Sequence, residues 1–371
     1  MNSRIICNRL FMIMKRLYCF AISMALFDAM ASWGSETGGM PIAKSSSSVA
    51  EYEIIQMSGE TDNLMDILTD GSQDREADAV LHSLRGESGD LAKLRKMQEK
   101  EFMNITGVKE KDINGYESGL GISLRLYEKE NEENDAPASL VIFFHGGGWV
   151  TGSLESGREF CRSLVARGNI KVLTIDFPLV PETSPKKIHE ISSRAIDYAI
   201  KNASKWNCDG DDVTLCGEDS GGEIILGALR NMTERNDISS IKKLILFYPL
   251  ARPEKGADPS IKKEFARGYG FDKRLYEALT EAYLESEEKN DGKVDEESFS
   301  EDIQMKGLII YAGKDIACIQ SEEIADSLIE KGMEIETIEF SEALHYFISK
   351  KGQPTAFNKA VDFTINFIES N

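Results

Sequence analysis

The chain has 371 residues, of which 41% are apolar, and 43 basic against 63 acidic side chains give it a net charge of −20. This length permits one large domain with a cap or two modest domains, and the apolar fraction is enough for a sizeable core. The strong negative charge argues against nucleic acid and anionic membrane surfaces as partners.

The amino terminus has the pattern of a signal peptide. The basic pair Lys15-Arg16 precedes an apolar core of eleven residues, 17–27, and the small residues Ala29 and Ala31 supply a cleavage site. The core is too short to span a bilayer comfortably. We expect residues 1–31 to direct secretion or export to the periplasm, leaving no stable membrane span after processing. An uncleaved membrane anchor and a mitochondrial presequence are the alternatives.

Composition divides the remainder of the chain. Residues 32–50 are rich in Ser and Gly, which predicts a disordered linker. Residues 51–371 are expected to form the folded domain, and its first part, to about residue 110, is polar and helix-leaning.

Apolar runs then recur at the spacing of strands that alternate with helices. The alternating segment 122–126 starts the sheet, and further strands are predicted near Val141, Val172, Val213, Ile245, Ile309 and Ile338. This alternation predicts an α/β fold with a mostly parallel, doubly wound sheet.

Four cysteines lie beyond the predicted signal peptide: Cys161, Cys208, Cys216 and Cys318. An even number in an exported chain permits a disulfide, while the predicted strand and helix around two of them equally favour free buried thiols. No pair has zinc-ligand spacing, so neither a metal nor another cofactor is expected.

A glycine-rich loop follows the predicted strand near Val141. His145 is followed by Gly146, Gly147 and Gly148, and three glycines leave backbone N–H groups free to point at one spot, as an oxyanion hole requires. A phosphate-binding loop would need Lys-Ser/Thr after its glycines, and the sequence lacks it.

The segment 217–222, Gly-Glu-Asp-Ser-Gly-Gly, lies between an apolar run and the apolar residues 224–229. A strand, a tight turn with one serine and then a helix is how α/β-hydrolases present a nucleophile. Ser-Gly-Gly also occurs in ordinary loops, but the upstream glycine loop strengthens the prediction. We therefore predict that Ser220 is the nucleophile.

The base and the acid of a triad follow the serine in chain order in this fold. Of the four histidines, only His345 lies beyond Ser220, after a strand-like run. Asp315 is the first carboxylate after the predicted strand near Ile309. In the predicted mechanism His345 takes the proton of Ser220, and Asp315 holds the imidazole in the required tautomer.

Taken together, these motifs resemble the hormone-sensitive-lipase-like family of α/β-hydrolases, which includes bacterial esterases and arylacetamide deacetylase-like enzymes. The segment 176–182 is similar to the family's Asp-Tyr-Arg-Leu-Ala-Pro-Glu motif, with Pro178 in place of the arginine. The segments 313–316 and 345–347 also resemble family motifs around the acid and the base.

The resemblance implies an α/β-hydrolase fold with a helical cap formed from about 51–110 and 252–290. It implies an oxyanion hole made by the amides of Gly147, Gly148 and Gly221, with His145 and Gly146 supporting the loop. The implied activity is hydrolysis of small or medium uncharged esters by a serine carboxylesterase.

One departure from the family bears on activity. With Ser220 as nucleophile, Glu218 and Glu223 stand where the family's Gly-Asp-Ser-Ala-Gly-Gly motif has its first and last glycines. A glutamate two residues before the nucleophile must point outward or be strained, and such strain is on the order of 1–3 kcal/mol. The alternative function is therefore a weak or inactive hydrolase fold that binds a ligand.

Overall fold

The computed structural model describes residues 51–55, 72–86, 91, 95, 105–131, 136–235, 238–255, 260–263, 271–290, 303–349 and 353–370. The predicted signal peptide and linker lie outside these residues. Residues Ala50–Asn371 form one compact unit.

The described residues contribute nine strands to one sheet. The strands are β1 Glu51–Ile55, β2 Val108–Ile113, β3 Leu124–Lys129, β4 Ala138–Phe144, β5 Ile170–Ile175, β6 Cys208–Glu218, β7 Ile241–Phe247, β8 Lys306–Ala312 and β9 Glu334–Phe340. The α-helices are α1 Ser72–Leu84, α2 Gly115–Ser118, α3 Arg158–Arg167, α4 Pro185–Asn202, α5 Ser220–Thr233, α6 Lys273–Asn290, α7 Cys318–Glu330 and α8 Pro354–Glu369.

The strand order, β1-β9-β8-β7-β6-β4-β5-β3-β2, determines where a site can form. All neighbouring strands are parallel except for the antiparallel pairs β2–β3 and β3–β5. Because β5 and β6 lie on opposite sides of β4, the chain reverses its direction across the sheet there. Ligands bind at the carboxyl ends of the strands at such a switch point. The loops after β4 and β6 are therefore the ones expected to carry the site.

Helices cover both faces of this sheet. On β4, Leu140 and Ile142 pack into one apolar cluster, while Val141 and Phe143 pack into the other. This is the alternation that the pleat of a strand imposes. The first cluster also contains residues of α4, α5, α6 and α7, and the second contains residues of α3 and α8. The predicted α/β class and mostly parallel, doubly wound sheet are confirmed.

Two helices from the regions assigned to the cap contact each other. Helix α1 packs against α6, and Arg274 pairs with Asp78 at 3.2 Å. The beginning of the first segment assigned to the cap is part of the sheet instead, because β1 pairs in parallel with β9 at its edge. The prediction that residues 51–55 belong to the cap is wrong: these residues satisfy their backbone groups on the open edge of β9.

The four cysteines within the described residues are free and buried. Of the two alternatives left by the sequence, the structure has the free thiols. The described part of the chain also contains no helix that is both long enough and apolar enough to cross a membrane.

Candidate active site

The loop after β4 presents backbone amides at the carboxyl edge of the sheet. Gly147 has φ 118° and Gly148 has φ 59°, both in the region that favours glycine. A Cβ on Gly147 would lie 2.3 Å from the carbonyl oxygen of Thr151, and a Cβ on Gly148 would lie 2.3 Å from Cδ1 of Leu279. Both glycines are therefore required by their backbone angles and by close neighbours.

The turn between β6 and α5 has Asp219 at its apex. Asp219 has φ 52° and ψ −124°, while Ser220 is already the first residue of the helix. A non-glycine residue held in such a conformation costs about 1–3 kcal/mol, and this strain is concentrated at functional sites. The side chain that the strained turn presents is thus a carboxylate.

The two oxygens of Asp219 have different partners. Oδ2 accepts hydrogen bonds of 2.7 Å from the amides of Gly147 and Gly148 and one of 3.3 Å from the Ser220 hydroxyl. Oδ1 lies 3.2 Å from Nε2 of His345. Burial raises the pKa of Asp219, but the hydrogen bond and charge of His345 and the two glycine amides outweigh it and hold the pKa below its usual 3.8. The buried carboxylate is therefore ionised.

His345 lies between two carboxylates. Its Nδ1 is 2.6 Å from Oδ2 of Asp315, whose Oδ1 accepts from the amide of Ala317 at 2.9 Å. Burial lowers the pKa of His345, but the charge of Asp315 and the hydrogen bonds to Asp219 and Asp315 outweigh it and raise the pKa to about 9. The imidazole is therefore protonated at neutral pH and donates to both carboxylates.

Aromatic side chains enclose the imidazole. Phe271 stacks on the ring of His345 at 4.3 Å, and the rings of Tyr248 and Tyr346 lie 4.7 Å and 4.2 Å away. Asp219 is 0% exposed and His345 is 2% exposed. The charges of the site therefore interact away from bulk water, where they are strongest.

The structure brings Asp315, His345, Gly147 and Gly148 together as predicted, but it does not bring Ser220 to His345. The prediction that Ser220 stands at the apex of the turn is wrong by one residue. Gly221, the third predicted oxyanion donor, therefore lies two residues beyond the apex of the turn instead of one. It packs closely against β4, since an added Cβ would lie 2.3 Å from the carbonyl oxygen of Phe144.

The sequence contained a signal for the correct alignment. When Gly217 is matched to the first glycine of the family motif, Gly221 and Gly222 match the last two, and Ser220 takes the small position between them. In this alignment Asp219 stands in place of the nucleophilic serine, and Glu218 and Ser220 replace the aspartate and the alanine on either side of it.

Glu218 is neither strained nor solvated, contrary to the expectation from the sequence. As the last residue of β6 it is 1% exposed, and it accepts from the Tyr248 hydroxyl at 2.7 Å and from the amide of Gly146 at 3.2 Å. Burial raises its pKa above the usual value despite these hydrogen bonds. Glu218 thus ties the glycine loop to the strand end that carries Asp219.

His145, at the start of the glycine loop, is held by the loop and by an aromatic ring. Nδ1 of His145 lies 2.7 Å from the carbonyl oxygen of Gly146, and its ring stacks on Phe177 at 4.2 Å. Burial lowers the pKa of His145 to about 4, so the ring is neutral. His145 therefore contacts the glycine loop as a neutral ring and is not part of the charged site.

Glu223 is a further buried carboxylate, and its contacts were not recognised from the sequence. Glu223 accepts from the indole of Trp149 at 3.1 Å and the hydroxyl of Tyr283 at 3.3 Å, and it pairs with Nε2 of His189 at 3.1 Å. Burial raises its pKa, but the charge and hydrogen bond of His189 and the charge of Arg230 outweigh it and lower the pKa to about 2. Glu223 links the glycine loop, α4 and α6, and this role explains why His189 lies outside the triad.

Arg95 makes a further contact that the sequence did not reveal. Its guanidinium donates to the carbonyl oxygens of Val150 and Val180, at 2.8 Å and 2.9 Å, and to both carboxylate oxygens of Glu182. A residue of the amino-terminal segment thereby fixes the end of the glycine loop.

Chemically, the arrangement offers an ionised carboxylate, an imidazolium and two amides aimed at one point. Among the described residues no group of three His, Cys, Asp or Glu side chains is placed to hold a metal ion.

Comparison with known proteins identifies the family and the fold. A family profile described as "alpha/beta hydrolase fold" matches residues 141–349, which is more than half of the chain. Arylacetamide deacetylase-like 4 family member 1 of Mus musculus is 26% identical over 140 residues, which is 38% of this chain and 34% of that protein. Ethyl acetate hydrolase of Pseudomonas putida is 20% identical over 152 residues, or 41% of this chain and 46% of that protein. The chain therefore spans less than half the length of these curated relatives.

Solved structures share the fold over a larger part of the chain. A thermostable esterase from Pseudomonas putida superposes with a TM-score of 0.63 at 18% identity, covering 80% of this chain and 96% of that chain. An esterase from Pyrobaculum calidifontis gives a TM-score of 0.64 at 21% identity, covering 76% of this chain and 93% of that chain. At these identities the likeness shows the fold alone.

Proposed function

Because the chain belongs to the hormone-sensitive-lipase-like family of α/β-hydrolases, we propose that it is a hydrolase of the esterase type whose nucleophile is the carboxylate of Asp219. The covalent intermediate joins Oδ1 of Asp219 to the substrate, as an ester where an alkyl carbon is attacked and as a mixed anhydride where an acyl carbon is attacked. His345 is the general base that activates water against this intermediate, and Asp315 orients the imidazole. This proposal replaces the acyl-enzyme on Ser220 that the sequence suggested.

The observation that carries the proposal is the pair of environments around Asp219. Oδ2 is held by the amides of Gly147 and Gly148, at 2.7 Å each, whereas Oδ1 faces only His345 among its hydrogen-bond partners in the described residues. When Oδ1 has formed a bond to the substrate, Oδ2 is the carbonyl oxygen of the new ester. Attack of water on Cγ then places the oxyanion on Oδ2, already within the hole, and one such donor is typically worth about 3–4 kcal/mol.

The steps balance in atoms and protons. Oδ1 attacks the electrophilic atom of the substrate, and the leaving group departs with the bonding electron pair and, on the way to solvent, with the proton of His345. Water then attacks Cγ of Asp219 and gives a proton to Nε2 of His345. The tetrahedral intermediate collapses by breaking the bond between Cγ and Oδ1. The product leaves with Oδ1, and the oxygen of water remains in the carboxylate.

The protonation of His345 supports this order of events. In the free site two carboxylates raise the pKa of His345 to about 9. Esterification removes the charge of Asp219, so one of the two groups that raise this pKa is lost and burial, which lowers it, gains weight. The intermediate itself therefore converts the imidazolium into the base that the second step requires.

Substrates are proposed to be small or medium uncharged molecules. The carboxylates of Asp219 and Asp315 lie within the site. Glu218 and Glu223, which are close to Asp219 in the sequence, are also buried. An anionic substrate would meet this charge in an enclosed environment, where repulsion is poorly screened.

A second candidate is a hydrolase fold that binds a ligand without turning it over. The replacement of the family's serine by Asp219, together with the occupation of the glycine amides by its carboxylate, favours this alternative. It predicts that the wild type has no measurable hydrolytic activity and that substitution of Asp219 changes only the affinity for the ligand.

The two neighbouring side chains provide a matched test. We expect Asp219→Asn to reduce every hydrolytic rate, measured on neutral p-nitrophenyl esters and alkyl electrophiles, by at least about a thousandfold. Ser220→Ala removes one weak hydrogen bond, worth about 1 kcal/mol, and should cost no more than about fivefold. Circular dichroism should be used to check that both variants are folded. Loss of activity in Ser220→Ala with retention in Asp219→Asn would overturn the proposal, and a wild type inactive on the whole panel would favour the ligand-binding candidate.

A further inference from the structure

We propose that the atom attacked by Asp219 is a tetrahedral carbon that carries a leaving group, so that the substrate is a neutral alkyl electrophile such as a primary alkyl halide or a strained cyclic ether. This inference rests on the proposed role of Asp219 as nucleophile. It separates the chain from relatives that are named esterases and that attack an acyl carbon.

The first reason is the occupation of the oxyanion hole. Attack on an acyl carbon builds negative charge on the substrate's own carbonyl oxygen, which then needs the amides of Gly147 and Gly148. Both amides already donate to Oδ2 of Asp219 at 2.7 Å, and that oxygen stays in place throughout the first step. Displacement at a tetrahedral carbon builds no oxyanion on the attacked atom. The filled hole therefore opposes acyl substrates and leaves alkyl substrates unaffected.

The second reason is the strength of the competing leaving groups. A carboxylate that adds to the carbonyl of an alkyl ester forms a tetrahedral adduct with two possible leaving groups, Asp219 and the alkoxide. Asp219, whose pKa lies below 3.8, is by far the weaker base, so the adduct returns to reactants. A halide is a weaker base than a carboxylate, and opening of a strained ring releases strain, so alkylation of Asp219 proceeds forward.

The third reason is the apolar cover over Asp219 and its partners. Leu279 of α6 lies against Gly148, and Phe271, immediately before α6, stacks on the ring of His345. Both side chains are 2% exposed and neither carries a hydrogen-bonding group, so the cover suits a hydrocarbon substrate better than a polar one. Exclusion of water also strengthens the carboxylate as a nucleophile.

The overall reaction is the conversion of an alkyl halide and water into an alcohol and the hydrogen halide. In the first step the bond between carbon and halogen breaks and the bond between carbon and Oδ1 forms. The halide takes the bonding pair, and the proton of His345 leaves with it. In the second step water supplies the oxygen that remains in Asp219, one proton that returns to His345 and a second proton that passes to the departing alkoxide to give the alcohol. No oxidant, reductant or metal is required.

The test uses three probes with the same four-carbon chain: 1-bromobutane, 1,2-epoxybutane and p-nitrophenyl butyrate. They are incubated with the full chain carrying His345→Gln, which should stop the second step, and the peptide containing Asp219 is analysed by mass spectrometry. We expect one butyl or hydroxybutyl group on Asp219 and no butyryl group. The double variant Asp219→Asn/His345→Gln should acquire none of them.

A second measurement avoids the variant. Wild-type protein in excess over 1-bromobutane is allowed one turnover in water enriched in oxygen-18, and label is expected in the carboxylate of Asp219 while the first butanol formed is unlabelled. A butyryl group on Asp219 without alkyl adducts would overturn this inference and leave Asp219 as the nucleophile. An adduct on Ser220, or the absence of both adduct and label at Asp219 for all three probes, would overturn the proposed function as well.

Discussion

Raising the pH should destabilise the folded protein, because His345 loses the proton that two carboxylates hold in place. The pKa of His345 rises from its ordinary 6.5 to about 9 in the folded chain. A group with a raised pKa contributes stability that is fully present below the unfolded value and is lost as the pH rises through the folded one. The difference of about 2.5 units, at about 1.4 kcal/mol per unit, corresponds to about 3 kcal/mol of unfolding free energy lost between pH of about 6.5 and 9.

Asp219 and Tyr248, which both contact His345, keep their charge state across this range. Asp219 is ionised, because its pKa lies below 3.8, and burial raises the pKa of Tyr248 well above 10. Urea unfolding across this range should therefore give a steady fall in stability. Asp219→Asn removes one of the two charges and should reduce the fall, whereas Asp362→Asn, which alters an exposed ion pair with Arg167, should not. A flat profile in the wild type, or the same fall in Asp219→Asn, would refute the charged His345.

Three substitutions test the surroundings of the site. Gly148→Ala should lower kcat/KM by about a hundredfold, because its Cβ would strike Leu279 and displace an oxyanion donor, and an unchanged rate would contradict the tight fit. Glu223→Leu should lower the unfolding free energy by about 3 kcal/mol in urea titrations, because it leaves buried hydrogen-bond donors unpaired. Glu223→Gln should lower it less, and equal stability of the wild type and both variants would refute this role. Arg95→Met should lower the unfolding free energy by about 2 kcal/mol, because the hydrogen bonds to the carbonyl oxygens of Val150 and Val180 are lost. If this variant unfolds thermally at the same temperature as the wild type, Arg95 does not stabilise the glycine loop.

The seven strands β3 to β9 were predictable because each has a continuous or alternating apolar pattern that must be buried, whereas β1 and β2 were not predicted. The runs around Val141, Val213 and Ile309 are flanked by glycines and polar residues, and each becomes a central strand of the sheet. Their carboxyl ends then had to meet at one edge, which is why chain order could predict that Asp315 and His345 lie next to each other.

The apex of the nucleophile turn was missed because it depends on the pairing of β6 with its neighbours. Gly217 pairs with Phe144 of β4, and Glu218 pairs with Phe247 of β7, so the strand continues to Glu218 and the sharp turn falls on Asp219. A local run of glycines fits a turn at either residue. A shift of one position changes the chemistry of the site from a hydroxyl to a carboxylate.

Contacts between distant segments were also beyond sequence analysis. Arg95 reaches a carbonyl oxygen 55 residues further along the chain, and Glu223 joins side chains from three different elements. Nothing in the local pattern of either residue distinguishes it from a charged side chain on a solvated helix. Only the packing of the helices on the sheet brings their partners within reach.

The central claim is that position 219, and not position 220, carries the nucleophile, and labelling with a fluorophosphonate tests it without knowledge of the substrate. The probe reacts with a serine hydroxyl that is activated by a neighbouring histidine. We predict that wild-type protein stays unlabelled, that Asp219→Ser becomes labelled at the substituted position, and that adding Ser220→Ala to that variant leaves the label in place. Labelling of the wild type at Ser220 would contradict the account.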